Sequence, residues 1–173
     1  MDIRIRPYAG SDLPRVREIF IDWNRAIAPE GLKDQFEAYI QLALKHEIER
    51  IPDYYAPDGW GFWAAEVDGV VAGCCGLEGL PEQPGVVEVR RMYVASEFRR
   101  RGIGRAMMAD LEAKARGFGY ERIVLSTSAL QPQAKALYIA TGYDLIREEA
   151  STEQTIRTVG SGLVRFYFEK PLR

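Results

Sequence analysis

Residues Val86 to Ala115 read VVEVRRMYVASEFRRRGIGRAMMADLEAKA, three kinds of order in direct succession. The first part alternates Val86, Glu88, Arg90, Met92 and Val94 with Val87, Val89, Arg91 and Tyr93. It is rich in β-branched side chains, which predicts a strand with both faces in use. The last part spaces Ile103, Met107, Leu111 and Ala115 by four, with Asp110, Glu112, Lys114 and Arg116 among the positions between. That pattern predicts an amphipathic helix of about four turns, which Gly117 and Gly119 end. Between strand and helix lies Arg99-Arg100-Arg101-Gly102-Ile103-Gly104. Two glycines let backbone pass close to a ligand, and the new helix points free N–H groups and its positive dipole end outward, as a phosphate cradle does. A dinucleotide fingerprint would need glycine where Met107 stands, and a Walker loop would need Gly-Lys-Ser/Thr, which this loop lacks.

The pattern that remains resembles motif A of the GNAT superfamily of acyl-CoA-dependent N-acyltransferases, Gln/Arg-x-x-Gly-x-Gly/Ala, through Arg99, Gly102 and Gly104 directly after a strand. A second stretch, Gln131, Ala134, Leu137, Tyr138, Gly142 and Tyr143, is similar to the later family signature Asn-x-x-Ala-x-x-Leu-Tyr-x-x-x-Gly-Phe/Tyr, with Gln131 in place of Asn. The resemblance implies an α/β fold: a twisted, mostly antiparallel sheet of six to seven strands, a central parallel pair that splays apart, and helices on both faces. It covers nearly the whole chain, but only Glu88 to Tyr143 carries specific motifs.

With 173 residues, 47% of them hydrophobic and no break in composition, the chain is expected to form one domain, residues 1–173. Neither a signal-peptide pattern nor an apolar run of membrane-span length stands in the sequence, so a cytoplasmic protein without membrane contact is expected. Cys74 and Cys75 are adjacent in an apolar strand, where neighbours point to opposite faces. They read as small core residues rather than a disulfide or metal ligands, and no metal is expected. Net charge is −2, but Val86 to Arg122 holds nine Lys and Arg against five Asp and Glu, while the rest holds fourteen against twenty. This polarity suits an anionic cofactor and a cationic acceptor such as a polyamine, an aminoglycoside or a basic peptide end. With only Tyr93 and Phe98 near the arginine run, nucleic acid is not the expected partner.

In chain order, Ile3 to Tyr8 reads as a first strand, and Ser11 as the cap of a helix through Leu13, Val16, Ile19, Phe20, Trp23 and Ile27. A second helix turns Phe36, Ile40, Leu44, Ile48 and Ile51 inward and ends near Pro52, with His46 and Glu47 on its polar side. Tyr54, Tyr55, Trp60 and Trp63 are candidates to line an acceptor cleft, or ordinary packing over a sheet. Asp68-Gly69 predicts a type I′ hairpin between Trp60–Val67 and Val70–Leu80. Arg122 to Thr127 predicts a strand parallel to the Val86 strand. Pro132 begins a helix that Gly142 ends, and Tyr143–Arg147 and Leu163–Glu169 form a closing hairpin around a polar loop, Glu148 to Gly162. Glu148, Glu149 and Glu153 in that loop are candidates to wall the acceptor site.

The resemblance also implies the chemistry: N-acetyl transfer from acetyl-CoA to a primary amine of a small molecule or peptide, by direct attack in a ternary complex. The rival expectation is a catalytically inactive CoA-binding sensor or interaction module of the same fold. The diphosphate would meet main-chain amides at Arg100, Arg101, Gly102, Ile103, Gly104 and Arg105, with Arg99, Arg100 and Arg105 adding charge. The pantetheine arm would pair with backbone around Met92, Tyr93 and Val94 as an added strand, and an N–H there would polarise the thioester carbonyl. Gln131 and Ala134 fall at the later cofactor positions. Tyr138 matches the family acid that protonates the leaving thiolate. Glu88 is the candidate base, placed by alternation on the face of Met92, or else an ion-pair partner of Arg90, Arg91 or Arg122. A lysine-like amine with pKa about 10.4 costs roughly 4.6 kcal/mol to deprotonate at pH 7, against about 1.4 for an α-amino group near 8, so a base helps the first more. Dimerisation through the closing strands, common among relatives, is left open.

Overall fold

A computed structural model describes all residues from Met1 to Arg173. The strands are β1 (Ile3–Pro7), β2 (Gly61–Val67), β3 (Val70–Gly79), β4 (Val86–Val94), β5 (Arg122–Ser128), β6 (Asp144–Ser151) and β7 (Leu163–Pro171). The helices are α1 (Leu13–Ile27), α2 (Lys33–His46), α3 (Ile51–Tyr54), α4 (Ile103–Gly117) and α5 (Pro132–Ala140). One seven-stranded sheet runs β1-β2-β3-β4-β5-β7-β6. Every neighbouring pair is antiparallel except β4–β5. No helix is long and apolar enough to cross a membrane.

Local chemistry explains most of these elements. Asp68 and Gly69 both take positive φ, 49° and 83°, the conformation a type I′ turn requires. In α4 the residues spaced by four, Ile103, Met107, Leu111 and Ala115, are all buried. Burying each large apolar side chain is worth about 1.5–3 kcal/mol, far more than propensity contributes to one helix. Gly119, at φ 87°, turns the chain out of α4. Two cores result. The α4 and α5 side holds Val87, Val89, Ile123 and Phe168 from the sheet, and the α1 and α2 side holds Phe62 and Cys74. The two cysteines are free and buried, one in each core.

The boundaries differ from the expectations in three places. Ser11 does not cap α1; the carboxylate of Asp12 instead accepts the Ala9 N–H at 2.8 Å and two N–H groups of Arg6. The second helix stops at His46 rather than near Pro52, because Glu47 leaves helical geometry at φ −137° and turns inward; a short 3-10 turn and α3 follow. Strand β6 continues to Ser151, so Glu148 and Glu149 are exposed strand residues. Only Glu153 of the three acidic candidates lies in the loop, and it is exposed.

Strand β4 does not alternate along its length. Its register against β3 pairs Cys74 with Tyr93 but Gly76 with Arg90, so Cys75 alone faces both Arg91 and Met92. This is a β-bulge, and Arg91 sits at φ +52°, a conformation a bulky side chain rarely takes. The bulge turns Arg91 to the face of Arg90, and both reach Glu47. Tyr93 follows onto that face, packing against Phe20 and Trp23, while Met92 and Val94 join Val87 and Val89 on the α4 side. Glu88 therefore does not share a face with Met92, contrary to the alternation in the sequence.

Gly73 lies opposite this irregularity. A Cβ there would come within 2.6 Å of the Tyr93 carbonyl oxygen. Gly73→Ala is expected to destabilise the fold by about 1–3 kcal/mol, read as a lower urea midpoint with an unchanged slope. An unchanged midpoint would contradict the close approach of β3 and β4.

Candidate active site

The parallel ladder between β4 and β5 has three pairs, Val86 with Arg122, Val87 with Ile123 and Glu88 with Val124, and then stops. Beyond Glu88 the strands diverge. The opening between them is lined by Met92 and Tyr93 from β4, Ser126 and Thr127 from β5, and Gln131 and Tyr138 around α5. On that side the β4 backbone beyond Glu88 has no strand partner. A free strand edge beside a cleft is a template for an extended ligand with amide groups.

At the open end, Arg100 and Gly102 both take left-handed conformations, φ 61° and 79°, and α4 starts directly after them. No backbone N–H from Arg100 to Arg105 donates to another protein group; the first intrahelical bond is Ala106 N–H to Gly102 O. Six free donors at the start of a fifteen-residue helix meet the requirement for an anion cradle. Gly104 fits against α5, where a Cβ would stand 3.3 Å from Leu137 Cδ2. Ile103 directs its side chain into the core, and Ala134 packs against that core. Arg100 and Arg105 are exposed and free of ion pairs. Arg99 is committed elsewhere, lying 4.4 Å over the Trp23 ring with Nε directed to Val94 O, and Arg101 stacks on Phe98. Gln131 accepts a hydrogen bond from Thr127 Oγ1 at 2.8 Å, which spends its oxygen and leaves its NH2 free.

Tyr138 is 6% exposed and packs on Tyr143 and Phe168. Its hydroxyl has no protein partner, whereas the hydroxyls of Tyr39, Tyr54, Tyr55 and Tyr143 each bond to a named side chain. Burial raises its pKa well above the ordinary value, Tyr93 adds to the rise, and Arg165 opposes it. The group thus keeps its proton across the neutral range.

On the α1 and α2 side lies a network of carboxylates and arginines. Glu47 is 0% exposed and bonds to Arg90 at 2.5 Å, to Arg91 at 3.0 Å and to the Tyr55 hydroxyl at 2.7 Å. Burial alone would raise its pKa, but Arg91 and Arg90 outweigh this and hold it below the ordinary carboxylate value. Glu78 meets Arg90 at 2.9 Å, Arg157 at 2.7 Å and the Tyr54 hydroxyl at 3.0 Å. Burial pushes the Tyr54 hydroxyl up to about 12. Glu88 meets Arg157 at 3.1 Å and Arg90 at 3.6 Å, so two of its neighbours are cations. Arg157 belongs to the loop between β6 and β7, which is strapped over the cleft: Ile156 O accepts from Arg91, Gln154 Nε2 donates to Gln35 O at 3.1 Å, and Val159 is buried.

The structure thus brings Glu88, Met92, Tyr93, Gln131 and Tyr138 to one opening and sets the 100–105 loop at its end. It does not bring Tyr54, Tyr55, Trp60 or Trp63 there. Tyr54 and Tyr55 serve the carboxylates, Trp60 packs on Tyr54, and Trp63 is buried on the α4 side. Asn24, Ile27, Phe36 and Tyr39 of α1 and α2 line the cleft instead. Glu47 was legible as an anomaly, since it occupies the inward stripe of Phe36, Ile40, Leu44 and Ile51 at helical spacing.

A family model described as the Acetyltransferase (GNAT) family matches residues 13–143. The chain belongs to that family. This GNAT chain is 36% identical over 107 residues to N-acetylaspartate synthetase of Rattus norvegicus, covering 61% of this chain and 36% of that protein. It is 32% identical over 109 residues to N-acetyltransferase 8 of the same species, covering 61% and 49%. The match thus spans about a third to a half of these curated relatives' length. A ribosomal-protein-alanine N-acetyltransferase from Brucella melitensis superimposes with TM-score 0.69 at 25% identity, over 97% of this chain and 99% of that one. A phosphinothricin acetyltransferase from Sinorhizobium meliloti, solved in complex with AcCoA, shares the fold with TM-score 0.74 at 20% identity, over 99% and 89%.

Glu47→Gln keeps the volume and removes the charge facing two buried arginines. The expected cost is about 3–5 kcal/mol in urea denaturation. The folded pKa of Glu47 is depressed, so its contribution is complete above the ordinary carboxylate value and is lost as pH falls below it. The wild type should therefore lose more stability than Glu47→Gln on acidification from about pH 5 to 3; parallel pH profiles would refute the pairing.

Proposed function

We propose that this chain catalyses transfer of an acetyl group from acetyl-CoA to a primary amine, by direct attack within a ternary complex in a single catalytic domain. The observation that carries the reading is the fork where the β4–β5 ladder stops, with free main-chain donors from Arg100 to Arg105 at its mouth and an unpartnered tyrosine hydroxyl inside. These features fit the donor along its length. The Arg100–Arg105 amides suit the diphosphate, the bare β4 edge suits the two amides of the pantetheine arm, and the fork is the remaining place for the thioester. Acetyl-CoA supplies an activated acyl group; the chain supplies placement and proton transfer.

The division of labour follows from position. A backbone N–H of Met92 or Val94 on the free β4 edge polarises the acyl carbonyl, where negative charge develops during attack. The amine nitrogen forms a bond to the acyl carbon as the carbon–sulfur bond breaks. Tyr138 gives its proton to the departing sulfur, and the proton lost by the amine balances it. Glu88, at the closed end of the fork where the ladder stops and between Arg90 and Arg157, takes the amine proton directly or through water. Since Glu88 lies on the face opposite Met92, the acceptor enters from the α1 and α2 side, between those helices and the strap. The donor lies along the other side of β4.

Tyr138→Phe is expected to lower kcat about 100-fold or more with little change in KM for acetyl-CoA. Because Tyr138 titrates above its ordinary value, the wild-type rate should show no fall assignable to it between pH 7 and 9. Release of free CoA is the readout; if acetyl-CoA binds but no amine in a broad panel releases CoA, catalysis is excluded. Glu88→Gln should cost about 100-fold at pH 7, with the deficit shrinking as pH approaches the pKa of the amine. A deficit constant with pH would leave Glu88 an ion-pair partner only.

A further inference from the structure

The charges on the acceptor side do not cancel. Three carboxylates, Glu47, Glu78 and Glu88, meet three arginines, Arg90, Arg91 and Arg157, and each of the six has at least one partner of opposite sign. That set is neutral as a whole. Arg165 of β7 is a fourth arginine lining the same opening, and it has no carboxylate partner. Its one bond is Nη2 to Ser126 Oγ at 3.0 Å, across the β5–β7 ladder. Glu149, its direct neighbour on β6, is taken by Arg147 at 2.9 Å. Arg165 and Tyr138 line the same opening. A guanidinium carries five N–H donors in a fixed fork suited to a carboxylate. Most of those on Arg165 are uncommitted, and the Ser126 hydroxyl, which accepts from Arg165, has its own proton free to donate.

We propose that the acceptor is a small amino acid whose carboxylate is held by Arg165 and Ser126, presenting its amine to the fork beside Tyr138. The proposal rests on the acyl-transfer reading above and adds the substrate class and its specificity residue. It reverses the cationic acceptor expected from the acidic remainder of the sequence. In the fold the cleft acids are neutralised by arginines, and the unbalanced charge at the acceptor site is positive. A polyamine would set ammonium groups beside Arg165 with nothing between them, whereas an amino acid supplies the missing anion. In an amino acid the amine stands two bonds from the carboxylate carbon, so a carboxylate held at Arg165 keeps the amine within the opening that Tyr138 also lines.

The test measures CoA release from acetyl-CoA with matched pairs, leucine against isoamylamine and phenylalanine against phenethylamine, with glycine and spermidine added. The wild type is expected to favour the amino acid of each pair by at least tenfold in kcat/KM. Arg165→Gln should raise KM for the amino acid by about 10- to 100-fold, the loss typical of a hydrogen-bonded charge, with a smaller change in kcat. It should thereby shrink the preference over the matched amine. Arg165→Lys, which keeps the charge without the fork, should recover part of the preference, and thermal melting of both variants checks that they fold. Turnover of isoamylamine, phenethylamine or spermidine equal to or better than that of the amino acids overturns the proposal and leaves acyl transfer standing. So does a preference that Arg165→Gln does not change, or CoA release only with amines outside these sets. No CoA release with any amine overturns both readings.

Discussion

A carboxylate sealed under the sheet sets the geometry of everything around the cleft. Glu47 has no exposure to water, and an ionised carboxylate in that position is tolerated only with charge partners at hydrogen-bond distance. Arg90 and Arg91 supply them. Consecutive strand residues ordinarily point to opposite faces, so both can reach Glu47 only through the bulge that puts Arg91 at φ +52°. The bulge shifts the phase of the strand, sending Met92 and Val94 toward α4 and Tyr93 toward α1. One ion-pair requirement thus ends a helix at His46, bends a strand and assigns the faces of the cleft.

The two halves of the site are built from different materials. The half suited to an anionic, amide-bearing donor is mostly main chain: free N–H groups from Arg100 to Arg105 and the bare edge of β4 beyond Glu88. The other half is side chain: Glu88, Arg157 and Arg165 line the opening, with Asn24 and Tyr39 from the helices. Main-chain recognition constrains sequence weakly except where glycine is needed, as at Gly102. Side-chain recognition is free to vary, and on this fold it is where substrate choice resides. The strap between β6 and β7 contributes to the second half, because Arg157 ties Glu78 and Glu88 while the backbone of Ile156 caps Arg91.

By itself the sequence determined the elements and the family. Periodicity located α4 and its buried stripe, Asp68-Gly69 located the hairpin, and Arg99, Gly102, Gly104 and Tyr138 carried the resemblance, because each depends on residues near one another in the chain. The tertiary structure decided what depends on distant partners. It inserted β7 between β5 and β6, turned Glu47 inward to residues more than forty positions away, and withdrew Arg99 from the loop onto Trp23. It also broke the alternation of β4, which a period of two read from sequence cannot reveal, since a bulge exists only relative to the strand beside it. Net charge is subject to the same distinction: it counts residues, while the field in the cleft depends on which of them are paired.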